Sequence, residues 1–258
     1  MADPRNGFRF RVPASRRLTW DLLVFNRDVP LCAHDRRMSL SPVADARDTC
    51  LQRISWPALF IKAYALVASD VPELRQTWYP WPWAHLYQHP HSVATLTVHR
   101  DVNSEPWLFW GQIPIPEATP LLEVQRRIDE FRNKDVGEIF LRQLQLAQLP
   151  TILRRAVWWW NLNIATKSRA KRLGTFFVST LSGRGVEIQF PPSIQTGCLT
   201  FGPLDVAGVA RVTLAYDHRI MDGALVATVL HRLEQVLNET LVAELRSIGR
   251  PATSAKVA

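Results

Sequence analysis

Cysteine is scarce in this chain: Cys32, Cys50 and Cys198 are three, widely spaced and odd in number. That pattern excludes a disulfide framework and makes a reducing cytoplasm the simplest compartment. No uncharged apolar run approaches the ~20 residues needed to span a bilayer. The opening Met1-Ala2-Asp3-Pro4-Arg5-Asn6-Gly7 has no apolar signal core. Zinc-type Cys/His spacing and phosphate-binding glycine loops are also missing. His85, His89 and His91 share one loop, but no cysteine or carboxylate accompanies them, so no metal is assigned. These absences predict a cytoplasmic protein that is soluble or, at most, peripheral to a membrane.

What is present fits one large globular domain: 258 residues, 47% hydrophobic and 21% charged. The formal net charge of +8 favours anionic partners. Nucleic acid, an acidic membrane surface and a phosphorylated carrier such as coenzyme A or acyl carrier protein all qualify. Nucleic acid has the least support, since no recognition motif accompanies the charge.

The chain is organised around a stretch near its C-terminus. Val209-Ala210-Arg211-Val212-Thr213-Leu214 reads as a buried strand. From Leu225 to Leu241, apolar residues recur at helical spacing. Between them stands Tyr216-Asp217-His218-Arg219-Ile220-Met221-Asp222-Gly223-Ala224, with Asp222 placed to cap the helix. A neutral imidazole at such a turn can take a proton from an attacking thiol, hydroxyl or amine and return it to the leaving group.

This string resembles the DHRxxDG signature of the catalytic domain in acyltransferase subunits of 2-oxoacid dehydrogenase complexes. That family shares its fold with chloramphenicol acetyltransferase. Further stretches carry the same resemblance. Gly174-Thr175-Phe176-Phe177-Val178-Ser179-Thr180-Leu181 is similar to the family's GTFTxSNLG strand, with Thr180 in place of the asparagine. Phe190-Pro191-Pro192 with Thr196 to Pro203, and Ile61-Lys62-Ala63 followed by Val71-Pro72-Glu73-Leu74, are also family-like.

The resemblance implies an α/β fold with a mixed β-sheet flanked by helices, assembled as a homotrimer with active sites between subunits. It assigns His218 as general base, Ser179 as oxyanion donor and Asp222 as the residue that fixes the loop. Ser179 comes from the subunit next to the one supplying His218. In the family an arginine pairs with the aspartate that Asp222 matches, a part open to Arg16 or Arg17 unless the two are simply a solvated arginine pair. No permanently bound cofactor is implied; the cosubstrate is a thioester of coenzyme A or acyl carrier protein. Cys198, inside the strand after Thr196, reads as a small core residue.

Elsewhere, residues 1–17 read as a basic arm, 18–248 as the acyltransferase-like domain and 249–258 as a flexible tail. Leu18 to Phe25 predicts a helix, Pro30 to Met38 a short strand, and Ser41-Pro42-Val43 a turn. Ile54 to Ala68 predicts a buried helix with Pro57 in its first turn. Thr77 to Tyr87, with three tryptophans among prolines, predicts a stiff aromatic loop. Ser92–Val98 and Trp107–Ile115 predict strands, the second at an edge. A helix follows over Leu121–Phe131. Residues 136–172, rich in tryptophan and arginine, are the least family-like. They suit core or subunit packing, an acyl-substrate wall, or a membrane interface.

The lipoyl domain, subunit-binding domain and Ala/Pro linkers of dehydrogenase subunits are not seen. The expectation is a standalone acyltransferase that moves an acyl group to a hydroxyl, amine or thiol of a small-molecule or lipid acceptor. The alternative is a non-catalytic trimeric scaffold that binds an acyl carrier or a membrane surface.

Overall fold

The computed structural model describes residue 7 and residues 9–248. The 249–258 tail and most of the first eight residues of the basic arm lie outside the described residues.

Helix α1 (Ala14–Asn26) leads into strand β1 (Leu31–Ser39), then helices α2 (Ser41–Asp48) and α3 (Trp56–Asp70). A short hairpin, β2 (Gln76–Tyr79) and β3 (His85–Gln88), precedes the long strands β4 (Val93–Val102) and β5 (Glu105–Pro114). Five helices follow: α4 (Leu121–Asn133), α5 (Val136–Ile139), α6 (Leu141–Gln148), α7 (Thr151–Asn163) and α8 (Thr166–Leu173). The chain ends with β6 (Phe176–Ser179), β7 (Gly197–Phe201), β8 (Val209–Asp217), α9 (Gly223–Asn238) and α10 (Thr240–Ile248).

Six strands form one mixed sheet in the order β1-β8-β7-β6-β4-β5. The pairs β4–β6 and β6–β7 are parallel, and the outer pairs antiparallel. Central parallel strands are covered on both faces, so they read as unbroken buried runs. Every residue of Phe176–Ser179 and Gly197–Phe201 is buried.

On one face, Leu96, Val98, Phe176, Val178, Leu199, Phe201, Val212 and Leu214 join the main core with α3, α4 and α9. Helix α3 is buried from Pro57 to Ala65, which explains its near-continuous apolar sequence. Its Phe60 and Tyr64 stack on Phe201 and Phe176, each pair with centroids 4.1 Å apart. Gly197 leaves the space that the Tyr64 hydroxyl occupies. Gly174 enters β6 at φ +81°, where a Cβ would meet Thr95 Oγ1.

Two expectations need correction. Ser41-Pro42-Val43 is the opening turn of α2, because Pro42 suits a first helical turn, where its missing N–H costs nothing. The aromatic loop is a β-hairpin with Pro80 to Ala84 at its tip, since Thr77, Trp78, Leu86 and Tyr87 supply β-forming side chains on both arms.

Candidate active site

Strand β8 delivers the catalytic candidate. Its last residue, Asp217, is buried, while the next, His218, is exposed. The backbone N–H of His218 donates to Pro30 O at 3.0 Å, which ties the turn to the start of β1. Arg219 folds back on Asp217: Nε reaches Oδ1 at 2.9 Å and Nη2 reaches Oδ2 at 2.6 Å. The Arg219 backbone N–H also donates to Asp217 Oδ1 at 3.0 Å. A bidentate pair of this kind fixes direction as well as distance.

Asp222 then caps α9, its Oδ1 accepting from Leu225 N at 2.9 Å. Among the described residues no arginine stands within ion-pair distance of Asp222. Arg17 instead donates to Ala147 O at 3.0 Å. The loop is therefore fixed by capping and by the neighbouring Asp217–Arg219 pair.

The residues around this turn were not evident from the motif. Trp78 of the hairpin lies 5.5 Å beneath the Arg219 guanidinium. Thr196 Oγ1 donates to Gln76 O, which holds the hairpin to the turn. Tyr216 stacks on His34, with centroids 5.5 Å apart, and meets His218 at a tilt, 5.7 Å away. Its buried hydroxyl has no partner, and burial, with Cys32 and Asp222 nearby, raises its pKa. The antiparallel register of β1 against β8, Cys32 opposite Tyr216, is what brings His34 to this ring.

Ser179 ends β6 on the sheet's second face, 7% exposed. Register places Ser179 opposite Thr200, and Thr200 opposite Thr213. Thr97 joins the row from β4 by donating to Ser179 Oγ at 3.2 Å. With its oxygen accepting from Thr97, the Ser179 hydroxyl keeps its own hydrogen free to donate. Thr200 Oγ1 is buried and has no partner. Period-two alternation in Cys198-Leu199-Thr200 was the available signal for this row.

The same register separates the two candidates within one chain. Ser179 is level with Thr213, five residues before His218 on β8 and two strands away. That is roughly 16 Å along the strand and about 10 Å across the sheet. Side chains as short as serine and histidine do not close such a gap. Cavities of about 380 and 480 Å³, one beside Asp35, Arg37, Glu187 and Arg211 and one beside Pro42, Thr49 and Arg246, include neither residue.

The remaining candidates have structural partners. Burial pushes the Cys198 thiol far up, so it holds no thiolate. His85 Nδ1 contacts Trp83 O, His89 Nε2 contacts Thr77 Oγ1, and His91 Nδ1 faces Glu117. Among the described residues no group of three or more His, Cys, Asp or Glu side chains converges on a metal position, and no helix is long and apolar enough to cross a membrane.

No family model and no curated protein matches the chain. Solved structures do. A probable dihydrolipoamide acetyltransferase from Listeria monocytogenes is 16% identical, with 97% of this chain and 99% of that chain covered at a TM-score of 0.65. Dihydrolipoamide acetyltransferase from Azotobacter vinelandii is 17% identical, with 95% and 96% covered and a TM-score of 0.63. In that enzyme a serine, a histidine and an asparagine have been investigated for roles in the catalytic mechanism. Chloramphenicol acetyltransferase is 12% identical, with 89% and 100% covered and a TM-score of 0.50. At such identities likeness establishes the fold. The chain has the fold of the 2-oxoacid dehydrogenase acyltransferase catalytic domain, which chloramphenicol acetyltransferase shares.

Proposed function

We propose that the protein is an acyltransferase that moves an acyl group from a thioester to a hydroxyl, amine or thiol acceptor without a covalent enzyme intermediate. The observation that carries this reading is the exposed His218, held on a rigid turn between the Asp217–Arg219 pair and the Asp222 cap. In the Azotobacter enzyme the histidine and asparagine stand four residues apart, as His218 and Asp222 do here.

In this reading His218 removes the acceptor's proton as its lone pair attacks the thioester carbonyl. The Ser179 hydroxyl donates to the oxyanion that forms. Collapse of the tetrahedral intermediate breaks the C–S bond, and the imidazolium returns the proton to the departing thiolate. The separation of Ser179 from His218 within one chain supports a site shared by two copies. A homotrimer is the assembly that the sequence resemblance implies. Coenzyme A and acyl carrier protein both fit the basic surface, and the acceptor is a small molecule or a lipid.

The test is transfer from acyl-coenzyme A of graded chain lengths to a panel of acceptors, repeated with acyl carrier protein donors. His218→Ala lowers turnover by about 10²- to 10⁴-fold. Turnover indifferent to that substitution rejects the reading, and no turnover with either class of donor leaves a non-catalytic scaffold.

A further inference from the structure

Helix α7 is built inside out. Its inward positions are Arg154 (1% exposed), Trp158 and Asn161. Arg154 pairs with the fully buried Asp21 of α1, and Asn161 Oδ1 accepts from Arg172 at 2.7 Å. Its outward positions are apolar: Ile152 (83% exposed), Leu153, Val157, Trp159 and Trp160 (54% exposed). The buried ion pair fixes this orientation, because turning the helix over would strand two charges. Trp20 of α1 extends the exposed surface, with the Arg155 guanidinium 4.6 Å from its ring.

The rim of this face carries one sign of charge. No acidic residue occurs between Glu138 and Glu187, whereas the exposed Arg142, Lys167, Lys171 and Arg172 fall there. Helix α8, packed on α7, exposes Lys167, Lys171 and Arg172. Among the described residues none of these three has an acidic ion-pair partner. A two-fold contact with a second copy would set these cations against one another. Apart from two indole N–H groups, the outward side chains offer no hydrogen bonds for a specific protein partner. A negatively charged lipid surface meets both requirements. Indole rings sit at headgroup depth, aliphatic side chains enter the acyl boundary, and the cations meet lipid phosphates. Thirteen residues make a helix about 20 Å long, suited to lying in the interface plane.

We infer that the outward face of α7, flanked by the exposed Lys167 and Lys171 of α8, docks the protein on anionic phospholipid membranes. This docking stands independently of the acyl-transfer reading, since none of these residues belongs to the candidate active site.

The experiment is co-sedimentation of the full chain with phosphatidylcholine vesicles and with equimolar phosphatidylcholine–phosphatidylglycerol vesicles. The wild type binds the anionic vesicles and releases them as salt rises. Trp159→Ser with Trp160→Ser lowers binding about tenfold or more, with an unchanged unfolding midpoint because both rings are exposed. Lys167→Gln with Lys171→Gln lowers it about twenty-five-fold, fivefold for each charge. Wild-type protein that stays in solution with anionic vesicles overturns the proposal, as does full binding by the tryptophan variant. A changed oligomeric mass in that variant, with vesicle binding intact, assigns the face to a second copy. Capture of an acidic carrier protein in place of vesicles assigns it to that partner. Either outcome overturns membrane docking.

Discussion

Arg219 grips Asp217 with two nitrogens on two oxygens, and His218 projects from between them. Burial of Asp217 and the Trp78 ring under the guanidinium leave this pair little room to rearrange. In the proposed mechanism the pair acts on the imidazole through the backbone, which makes both positioning residues. Arg219→Lys keeps the charge and loses the two-pronged geometry. It lowers kcat about tenfold or more while leaving KM for the donor nearly constant. Steady-state kinetics on both substrates check this; an equal rise in KM would instead place Arg219 in donor binding.

A shared site predicts complementation. Neither His218→Ala nor Ser179→Ala protein alone retains substantial activity, with Ser179→Ala down about 10²-fold. Unfolded together in equal amounts and refolded, the two chains form some sites with the intact histidine of one and the intact serine of the other. Random assembly of a cyclic oligomer yields about one wild-type site in four. Recovery of that fraction of activity supports the shared site. Recovery of none, in oligomers shown by mass to be mixed, shows that each chain acts alone.

The buried ion pair behind α7 is asymmetric. Asp21 serves both Arg154 and the half-buried Arg155, whose Nε is 3.3 Å away. Asp21→Leu strands the buried Arg154 and costs about 3–5 kcal/mol. Arg154→Met leaves Asp21 with Arg155 and costs less, on the order of 1–2 kcal/mol. Urea unfolding of the two variants orders them; equal losses would show that Arg155 gives Asp21 no support.

His89 makes stability depend on pH. Burial, and then the nearby Arg169, hold its pKa at about 4 against an ordinary 6.5. The unfolded chain therefore binds more protons between these values. Stability is full above about pH 6.5 and falls as pH drops toward 4, by on the order of 2 kcal/mol. Calorimetry of wild type and His89→Gln checks the sign, since the variant's melting temperature falls less steeply across that window.

Much of the fold was legible because local signals agreed with tertiary demands. The strand before His218, the helix after it and the Asp222 cap all appear where periodicity and capping chemistry put them. Helix α3 was readable through its long apolar run, and β6 through the likeness of Gly174 to Leu181 to the family's GTFTxSNLG strand. Other features depend on partners distant in sequence. The tryptophan–proline stretch looked like a loop because prolines at its tip masked two short arms that pair across it. The hydroxyl row of Thr97, Ser179, Thr200 and Thr213 exists only through register between four strands. Likewise, no sequence rule pairs Asp21 with Arg154, so the inverted orientation of α7 was hidden.

Strand β1, residues 31–39, has a single neighbour in the sheet, and that neighbour is β8, residues 209–217. A chain emerging from the ribosome must therefore carry β1 unpaired until β8 has been made. Contacts this distant in sequence slow folding and lengthen exposure of open strand edges. Charged residues along β1, Asp35, Arg36 and Arg37, discourage those edges from pairing with other nascent chains. The strand that finally closes the sheet also carries His218 at its end, and the same Pro30 carbonyl that leads into β1 receives the histidine's backbone N–H. Closure of the sheet and formation of the His218 turn are thus one event, and in the acyl-transfer reading a half-made chain has no general base in position.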